Sequence, residues 1–502
     1  MVSFALAHLV VLVASGLVPA RDDAPAQGPP PKVIELDSTC ELTLRDGRKL
    51  AYSMVGETLH LRNLKDEVVA EFFAISYIAD VGSEAERVAR PVTFAFNGGP
   101  GSSSIWLHLG LLGPKRVQVP SDADYAGAPP YPLVDNPDSL LAVSDLVMVD
   151  PIDTGLSRVV GKGENGDHWG VDEDARSVNR FLREWLAKHG RHGSPKYLLG
   201  ESYGGIRAPL LVRELQGGHT PIALNGVILI SPALDMALVD GQENDACHAT
   251  VLPPYAATAW YHRALPEQPA ELLPFLAEVG RFVDEEYLPA LFLGSELQEA
   301  RREALIAKLH RYTGIAPDYW RRANLRVSSD RFRRELLRER GEVVGRLDSR
   351  YVGREPDAVG ETPSGDPMFS GIGGAYSAAF QAYLHASFGR FTEREYLVSS
   401  PQAGGEWKRP PTKAGAFDGY IDVLPELARG MEENRELRVY IASGLYDLAT
   451  SAFAARHNIR RSHCDRDRVE LADFPAGHMM YVHEPTLVGL AADLRRFIAQ
   501  SR

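Results

Sequence analysis

A serine between two glycines, at the end of a short apolar run, is the most chemically informative feature of this 502-residue sequence. Residues 197–205 read YLLGESYGG, which places Ser202 at the centre of a Gly-x-Ser-x-Gly motif. Between a strand and a helix, this motif is typical of a nucleophile elbow, a tight turn that lifts the serine hydroxyl above the edge of a sheet. Because apolar patterns stand on both sides of it, we predict that Ser202 is a nucleophile. The alternative is a serine that only caps the following helix.

A serine hydroxyl needs a base near neutral pH, and the base needs a carboxylate to orient it. In α/β hydrolases the three groups follow in the order serine, acid, histidine. Asp447 ends the run VYIASGLYD, and His478 follows Ala476-Gly477 on a later turn. Taken singly, Asp447 fits a turn role better and His478 a loop role better, but their order and their positions after strands reverse this and favour catalysis. His483 is the competing base, and its place at the start of the last predicted helix favours a capping or surface role.

The oxyanion of an acyl-transfer intermediate needs hydrogen-bond donors. The sequence NGGPGSSS, residues 97–104, follows an apolar run, and its glycines leave backbone N–H groups accessible. We predict the N–H groups of Gly99 and Tyr203 as donors, since Tyr203 directly follows the predicted nucleophile. A phosphate-binding loop is the alternative, but neither the dinucleotide-binding motif nor the Gly-x4-Gly-Lys-Ser/Thr motif occurs.

Short apolar runs and amphipathic stretches alternate around these residues. The runs within PVTFAFNGGPG, SDLVMVDPIDTG, PKYLLGES and LNGVILISPAL are bounded by turn residues, which is typical of buried parallel strands. Residues 171–190 show helical spacing of apolar positions after an acidic first turn. Residues 40–61 and 70–79 predict an antiparallel meander. The pattern indicates an α/β-hydrolase fold, with a mostly parallel central sheet and helices on both faces.

The alternation stops near residue 240 and resumes near residue 437. The sequence between is rich in charge and in helix formers, and Pro/Gly-rich loops interrupt it. We therefore predict a hydrolase core in two parts, residues 38–240 and 437–502, with a largely helical cap inserted at 241–436. The second part closes with a helix whose apolar residues share one face.

The N-terminal sequence predicts export. Residues 4–20 form an apolar run too short to span a bilayer comfortably, and a polar, Pro-rich linker follows at 21–37. We expect residues 1–20 to be a cleaved signal peptide and the mature protein to be secreted or periplasmic. Since no Lys or Arg precedes the apolar run, an uncleaved anchoring helix is the alternative.

The overall composition narrows the classes of partner. A net charge of −13, from 67 acidic and 54 basic residues, argues against nucleic acid or an anionic membrane surface as a partner. Cys40, Cys247 and Cys464 allow at most one disulfide, and their spacing leaves the pairing open. The sequence predicts neither a metal nor a cofactor.

The motifs NGGPGSSS, GESYGG, VDPIDTGLS and AGHMMYVHEP, together with the Asp447 strand end, resemble the serine carboxypeptidase family. They follow the family order from about residue 91 to the end of the chain, apart from the insertion. The resemblance implies a secreted serine peptidase that cuts the last residue from a peptide or protein through an acyl-enzyme, without a metal, in some members as a homodimer. It assigns Ser202, Asp447 and His478 as the catalytic triad, with Gly99 and Tyr203 as the oxyanion donors.

The resemblance also implies a recognition site for the C-terminal carboxylate of the substrate, formed by Asn97 and Glu201. A protonated Glu201 can donate a hydrogen bond to a carboxylate, whereas an ionised one would repel it. Many family members carry a second glutamate where this sequence has Leu111, and a disulfide cysteine where it has Ser102. Family members also often have Trp-Leu where Ala95-Phe96 stands here.

These departures weaken the interpretation as a carboxypeptidase more than the interpretation as a serine hydrolase. A carboxypeptidase-like acyltransferase or esterase is therefore the alternative function, and a binding protein that keeps the fold without catalysis is a third. Because Leu111 removes a partner of Glu201, we expect an activity optimum less acidic than is usual in the family.

Overall fold

The computed structural model describes residues 35–239, 243–389, 394–409 and 420–501. The predicted signal peptide lies outside these ranges, as does all but the end of the predicted linker. Within them, none of the helices combines the length and the apolar character needed to cross a membrane.

Strands and helices alternate through the first half of the described chain and again at its end. The strands are β1 (Glu35–Thr43), β2 (Lys49–Arg62), β3 (Val68–Ala79), β4 (Val92–Phe96), β5 (Lys115–Val117), β6 (Leu133–Asp135), β7 (Asp145–Val149), β8 (Arg158–Val159), β9 (Lys196–Glu201), β10 (Gly226–Ile230), β11 (Glu342–Val344), β12 (Val352–Arg354), β13 (Arg438–Gly444) and β14 (Val469–Phe474). The α-helices are α1 (Glu84–Ala89), α2 (Ile105–Leu107), α3 (Val171–Lys188), α4 (Gly204–Gln216), α5 (Asp245–Tyr261), α6 (Leu272–Phe282), α7 (Leu288–Leu293), α8 (Glu299–Thr313), α9 (Pro317–Arg322), α10 (Ser329–Glu335), α11 (Pro367–Phe388), α12 (Pro401–Gly405), α13 (Leu424–Glu433), α14 (Ala452–Arg461) and α15 (Glu484–Gln500).

One large sheet organises the described residues, in the order β1-β2-β3-β7-β4-β9-β10-β13-β14, and β8 pairs with another part of β3. The strands β1 to β3 form the predicted antiparallel meander, and β7 pairs antiparallel to β3. From β7 to β14 every neighbouring pair is parallel. The predicted α/β-hydrolase fold is thus confirmed, and β4, β7, β9 and β10 coincide with the four apolar runs.

Helices cover both faces of this sheet. On one face, α3, α4 and α13 share a hydrophobic cluster with the strands, in which Trp185 packs edge to face against Phe94 with ring centroids 5.3 Å apart. On the other face lie α2, α11 and α15, and Phe497 of α15 packs against Tyr440 of β13. Because each parallel strand is buried on both faces, its sequence is apolar almost throughout.

Between β10 and β13 the described chain is mostly helical, from α5 to α13, with the short β11–β12 hairpin among the helices. Helices α5 to α10 contribute to a separate hydrophobic cluster, in which Tyr255 and Phe332 stack with ring centroids 3.9 Å apart. That cluster includes Leu445, Tyr446 and Leu448, which directly follow β13. Helices α5 to α10 therefore pack against the sheet edge where Asp447 lies, whereas α11 and α13 of the same segment cover the faces of the sheet. We propose that the segment forms a cap over that edge.

Candidate active site

Ser202 lies on a strained turn between β9 and α4. Its φ of +60° falls in the left-handed region that residues with a side chain rarely adopt. The glycines around it are required by close approach: a Cβ on Gly200 would lie 2.3 Å from the carbonyl oxygen of Gly204. On Gly205 it would lie 2.5 Å from the Cβ of Pro232. This is the geometry of a nucleophile elbow, in which sharp turning exposes the serine hydroxyl.

Asp447 and His478 meet at the carboxyl ends of β13 and β14. The Nδ1 atom of His478 lies 2.7 Å from Oδ2 of Asp447. The other oxygen of Asp447 accepts the backbone N–H groups of Ala449 and Thr450 at 2.7 and 3.0 Å, which fixes the carboxylate. With Nδ1 donating to Asp447, the neutral imidazole keeps Nε2 free of a proton and able to accept one.

Burial and the carboxylate act in opposite directions on His478. Burial disfavours the imidazolium and lowers its pKa, but the charge and the hydrogen bond of Asp447 more than offset this, so the pKa is raised overall. A base with a raised pKa is a better proton acceptor, and it is also protonated over a wider acidic range.

Ser202 and His478 line the same cleft. Its wall also includes Asn97, the glycine-rich loop after β4, and Glu201. Residues 397–401 of the cap reach the loop from the opposite side, since the N–H of Ser400 donates to the carbonyl of Gly101 at 2.7 Å. The structure thus brings together residues that lie more than a hundred positions apart in the sequence. His483 is not among the cleft-lining residues that the structure describes, and its Nδ1 lies 2.8 Å from the hydroxyl of Thr486 in α15.

The glycine-rich loop packs directly against the turn at Ser202. A Cβ on Gly98 would lie 2.4 Å from the backbone nitrogen of Tyr203 and 2.9 Å from the Cβ of Ser202. Gly99 has a φ of +105°, which residues other than glycine rarely adopt. Among the described residues, no backbone carbonyl accepts the N–H of Gly99 or Tyr203. Both predicted donors are therefore available to an oxyanion.

Asn97 and Glu201 form a buried pair beside Ser202. The Nδ2 of Asn97 donates to Oε1 of Glu201 at 2.8 Å, and the backbone N–H of Leu107 donates to the amide oxygen at 3.1 Å. The side chain of Glu201 lies among buried groups, and burial raises its pKa to about 7. A carboxyl group with this pKa is neutral in mildly acidic solution and can donate a hydrogen bond.

The phenol of Tyr481 lies beside the carboxyl group of Glu201. Leu111 is buried, and its neighbour Gly110 leaves room for a phenol ring, since a Cβ there would lie 2.3 Å from Cε2 of Tyr481. Burial raises the pKa of Tyr481, and the charge of Glu201 raises it further. Within the described residues, neither the Tyr481 hydroxyl nor Oε2 of Glu201 has a hydrogen-bond partner. Both atoms are buried, and the Tyr481 hydroxyl lies close enough to interact with the carboxyl group of Glu201.

Thr450 is part of this site and was missed by sequence reasoning. Its hydroxyl oxygen lies 2.8 Å from Oδ2 of Asp447, 3.0 Å from Nδ1 of His478 and 2.8 Å from the carbonyl oxygen of Ser231. The Thr450 hydroxyl therefore helps to hold the carboxylate of Asp447 and the imidazole of His478 in contact. In the sequence, only its position three residues after Asp447 relates Thr450 to the site, and that spacing does not by itself indicate a role.

Arg207, which sequence reasoning also missed, connects the elbow helix to the glycine-rich loop. Its Nη1 donates to the carbonyl of Asn97 at 2.7 Å, and its Nε donates to Asp174 of α3 at 2.6 Å. Both side chains are buried, and burial raises the pKa of Asp174 against the effect of Arg207. The ion pair therefore holds the start of the loop in place from the protein interior.

Replacing Arg207 by methionine is expected to destabilise the protein by about 3–5 kcal/mol, because Asp174 is then left buried without a cation. Guanidinium unfolding measures the loss. The double variant Asp174→Asn/Arg207→Met, which buries no unpaired charge, is expected to recover part of it. A single variant within about 1 kcal/mol of the parent would show that water or a rearrangement compensates Asp174.

Within the described residues, no group of three or more His, Cys, Asp or Glu side chains could hold a metal ion. Cys40, Cys247 and Cys464 all lie in the described ranges, and no disulfide joins them. The hydroxyl of Ser102 accepts from the indole N–H of Trp106 at 3.1 Å.

Comparison with known proteins supports the sequence resemblance over part of the chain. Residues 75–265 match the family model described as serine carboxypeptidase. Serine carboxypeptidase-like 7 of Arabidopsis thaliana is 33% identical over 166 residues, which is 31% of this chain and 36% of the relative. Serine carboxypeptidase-like 2 of the same plant is 30% identical over 179 residues, 34% of this chain and 39% of the relative. The matched segments thus span less than half of these relatives.

A solved structure agrees over more of the chain. Kex1Δp, a prohormone-processing carboxypeptidase from Saccharomyces cerevisiae, aligns with 89% of this chain and 92% of its own, with a TM-score of 0.54. The sequence identity is 14%, so this likeness concerns the fold. The family match contains the glycine-rich loop and Ser202 and ends before Asp447 and His478.

Proposed function

We propose that the chain is a serine-type carboxypeptidase that removes the C-terminal residue of a peptide or protein. The premise is that residues 75–265 match the model of the serine carboxypeptidase family. The observation that carries the proposal is the buried Asn97–Glu201 pair in the same cleft as Ser202 and His478. A neutral carboxyl beside an amide is suited to hold a terminal carboxylate, which a cleft for internal peptide bonds does not need.

In the proposed reaction, Oγ of Ser202 attacks the carbonyl carbon of the last peptide bond while Nε2 of His478 takes the hydroxyl proton. The N–H groups of Gly99 and Tyr203 donate to the oxyanion that forms. His478 then passes its proton to the leaving nitrogen, the C–N bond breaks, and the free amino acid departs. Water, deprotonated by His478, hydrolyses the acyl-enzyme and restores the Ser202 hydroxyl.

Release of free amino acid from N-blocked dipeptides tests the proposal. We expect release from dipeptides with a free C-terminal carboxylate and much slower reaction of the matched C-terminal amides, because an amide is uncharged and offers the Asn97–Glu201 pair one acceptor oxygen instead of two. Hydrolysis of esters without regard to a terminal carboxylate would instead support an esterase. Transfer of the acyl group to an alcohol would support an acyltransferase, the function that Leu111 would favour.

Ionisation of Glu201 is expected to set the alkaline limit of this activity. Its pKa of about 7 makes it neutral below that pH and anionic above it, where it repels the terminal carboxylate. We therefore expect kcat/KM for free-acid dipeptides to fall about tenfold per pH unit above pH 7. On the acid side, protonation of His478 lowers the rate, so the optimum lies close to neutral. Glu201→Gln keeps an N–H donor at every pH and is expected to lose the alkaline fall.

The pH profiles of C-terminal amide substrates provide the control, because they do not depend on the charge of Glu201. An alkaline fall of equal size in Glu201→Gln would assign that limb to another group. A free-acid profile that peaks well below pH 5 would contradict the role of Leu111 in shifting the optimum towards neutral.

The proposal includes export and peptide C-termini as substrates. Cleavage after residue 20 would release the hydrolase core and its cap into the periplasm or the medium. N-terminal sequencing of the protein recovered from the cell exterior tests this step. A mature protein that keeps residues 4–20 would indicate a membrane anchor instead.

A further inference from the structure

Residues 346–347, a short segment of the cap, are hydrogen-bonded to the two turns that carry Asp447 and His478. The carbonyl oxygen of Arg346 accepts the N–H of Leu448, one residue after Asp447, at 3.0 Å. The carbonyl oxygen of Leu347 accepts the N–H of His478 at 2.6 Å. These two hydrogen bonds place Arg346 beside the catalytic histidine.

Arg346 lines the cleft, and its guanidinium has no partner in the part of the chain that the structure describes. The side chain is half-buried, and among the described residues it forms neither an ion pair nor a side-chain hydrogen bond. Asp348, two residues along the chain, pairs with Arg350 at 2.6 Å. The carboxylate of Asp366 accepts the backbone N–H groups of Arg346, Leu347 and Met368 at 3.2, 3.0 and 3.0 Å. It is therefore occupied with the backbone.

The described lining of the cleft contains few charged side chains, and these have different roles. Of the residues described in its lining, Arg346 is the one lysine or arginine, and Glu201 is the one carboxylic acid. Since Glu201 is buried and paired with Asn97, it does not neutralise the arginine by contact. A half-buried cation that lacks a partner in a substrate cleft is suited to bind an anionic group of the substrate.

The chemistry of the reaction defines which part of the substrate lies near Arg346. The leaving nitrogen must approach Nε2 of His478, and the terminal carboxylate must reach Asn97 and Glu201. We infer that the side chain of the departing residue projects into the part of the cleft beside His478, where Arg346 lies with Leu347 and Met479.

We propose that Arg346 selects substrates whose C-terminal residue has an acidic side chain, by pairing its guanidinium with the carboxylate of glutamate or aspartate. This inference rests on the proposed carboxypeptidase function. The apolar side chains beside Arg346 contact the methylene groups of the substrate side chain, and the guanidinium of Arg346 binds the carboxylate at the end of that side chain. A charge-assisted contact of this kind favours glutamate over the isosteric glutamine by about 10- to 100-fold in kcat/KM.

The test measures release of the last residue from N-blocked dipeptides that differ only in that residue, at a pH near 7 where the substrate glutamate is ionised. The series contains glutamate, glutamine, leucine and lysine. In the parent protein we expect a glutamate-to-glutamine ratio of about 10 or more. In Arg346→Gln the ratio is expected to approach 1, and in Arg346→Glu lysine is expected to become better than glutamine. Ratios within one variant do not depend on how much of it is folded.

The control variant is Arg340→Gln, which removes the same charge from an exposed position of the cap. It is expected to keep the parent ratio, because a distant charge acts only through screened long-range attraction. A parent ratio near 1, or a ratio that Arg346→Gln leaves unchanged, would overturn the inference. If leucine is still released in a reaction that requires Ser202, the carboxypeptidase function stands even then, whereas release of no residue would refute both.

A second series, with the acidic residue at the penultimate position, locates the contact. An acidic preference there that is lost in Arg346→Gln would assign the guanidinium to the acyl side of the bond and overturn its assignment to the departing residue. No effect at the penultimate position, together with a lost preference at the last position, supports the proposal.

Discussion

Replacement of Ser202 by alanine is expected to lower kcat for peptide hydrolysis by about 10⁴- to 10⁶-fold, since no other group can form the acyl-enzyme. The removed hydroxyl is the attacking atom itself, so the binding of substrate is expected to change little. Initial rates with an N-blocked dipeptide, at saturating substrate and with concentrated enzyme, measure the loss. The strained backbone at this position tolerates alanine no worse than serine, because both carry a Cβ.

Labelling by a fluorophosphonate provides an independent test of the same residue. The parent protein is expected to react and Ser202→Ala is not. Ser399, another serine that lines the cleft, serves as the matched position, and Ser399→Ala is expected to label normally. A parent protein that folds but does not label would favour a binding protein that keeps the fold without catalysis.

Replacement of Asp447 by asparagine is expected to lower kcat by about 10⁴-fold. The carboxylate that accepts from Nδ1 of His478 at 2.7 Å would become an amide, which can donate to Nδ1 and stabilise the tautomer with the proton on Nε2. That tautomer cannot take the proton of Ser202. The rate of dipeptide hydrolysis measures the effect, and unchanged thermal unfolding would show that the fold is intact.

Asp493→Asn is the matched control for this substitution. Asp493 lies on α15 and accepts a hydrogen bond from the hydroxyl of Tyr440 at 3.1 Å. It has no role in the proposed reaction. It is expected to retain the parental rate. A loss of less than about tenfold in Asp447→Asn would mean that another group orients His478. Thr450, whose hydroxyl already contacts both residues, would then be the candidate.

Much of the fold was predictable because its signals are local. The buried strands β4, β7, β9 and β10 are apolar on both faces, and the pattern of α3 matches a helix with one buried face. The helix α15 likewise buries Leu487, Leu490, Leu494 and Phe497, as its spacing predicts. The Gly-x-Ser-x-Gly motif is informative for the same reason, since a crowded turn restricts residues that are adjacent in the chain.

The sequence by itself determined the fold class and the types and order of the residues proposed for catalysis, because strand periodicity, turn crowding and family motifs are properties of short segments. Only the tertiary structure decided which side chains these residues contact. Thr450 between Asp447 and His478, Arg207 beneath Asn97, and Arg346 beside the catalytic turn all depend on contacts between distant segments. Burial is likewise a property of the folded molecule, and it is burial that raises the pKa of Glu201 to about 7 in the absence of the second glutamate.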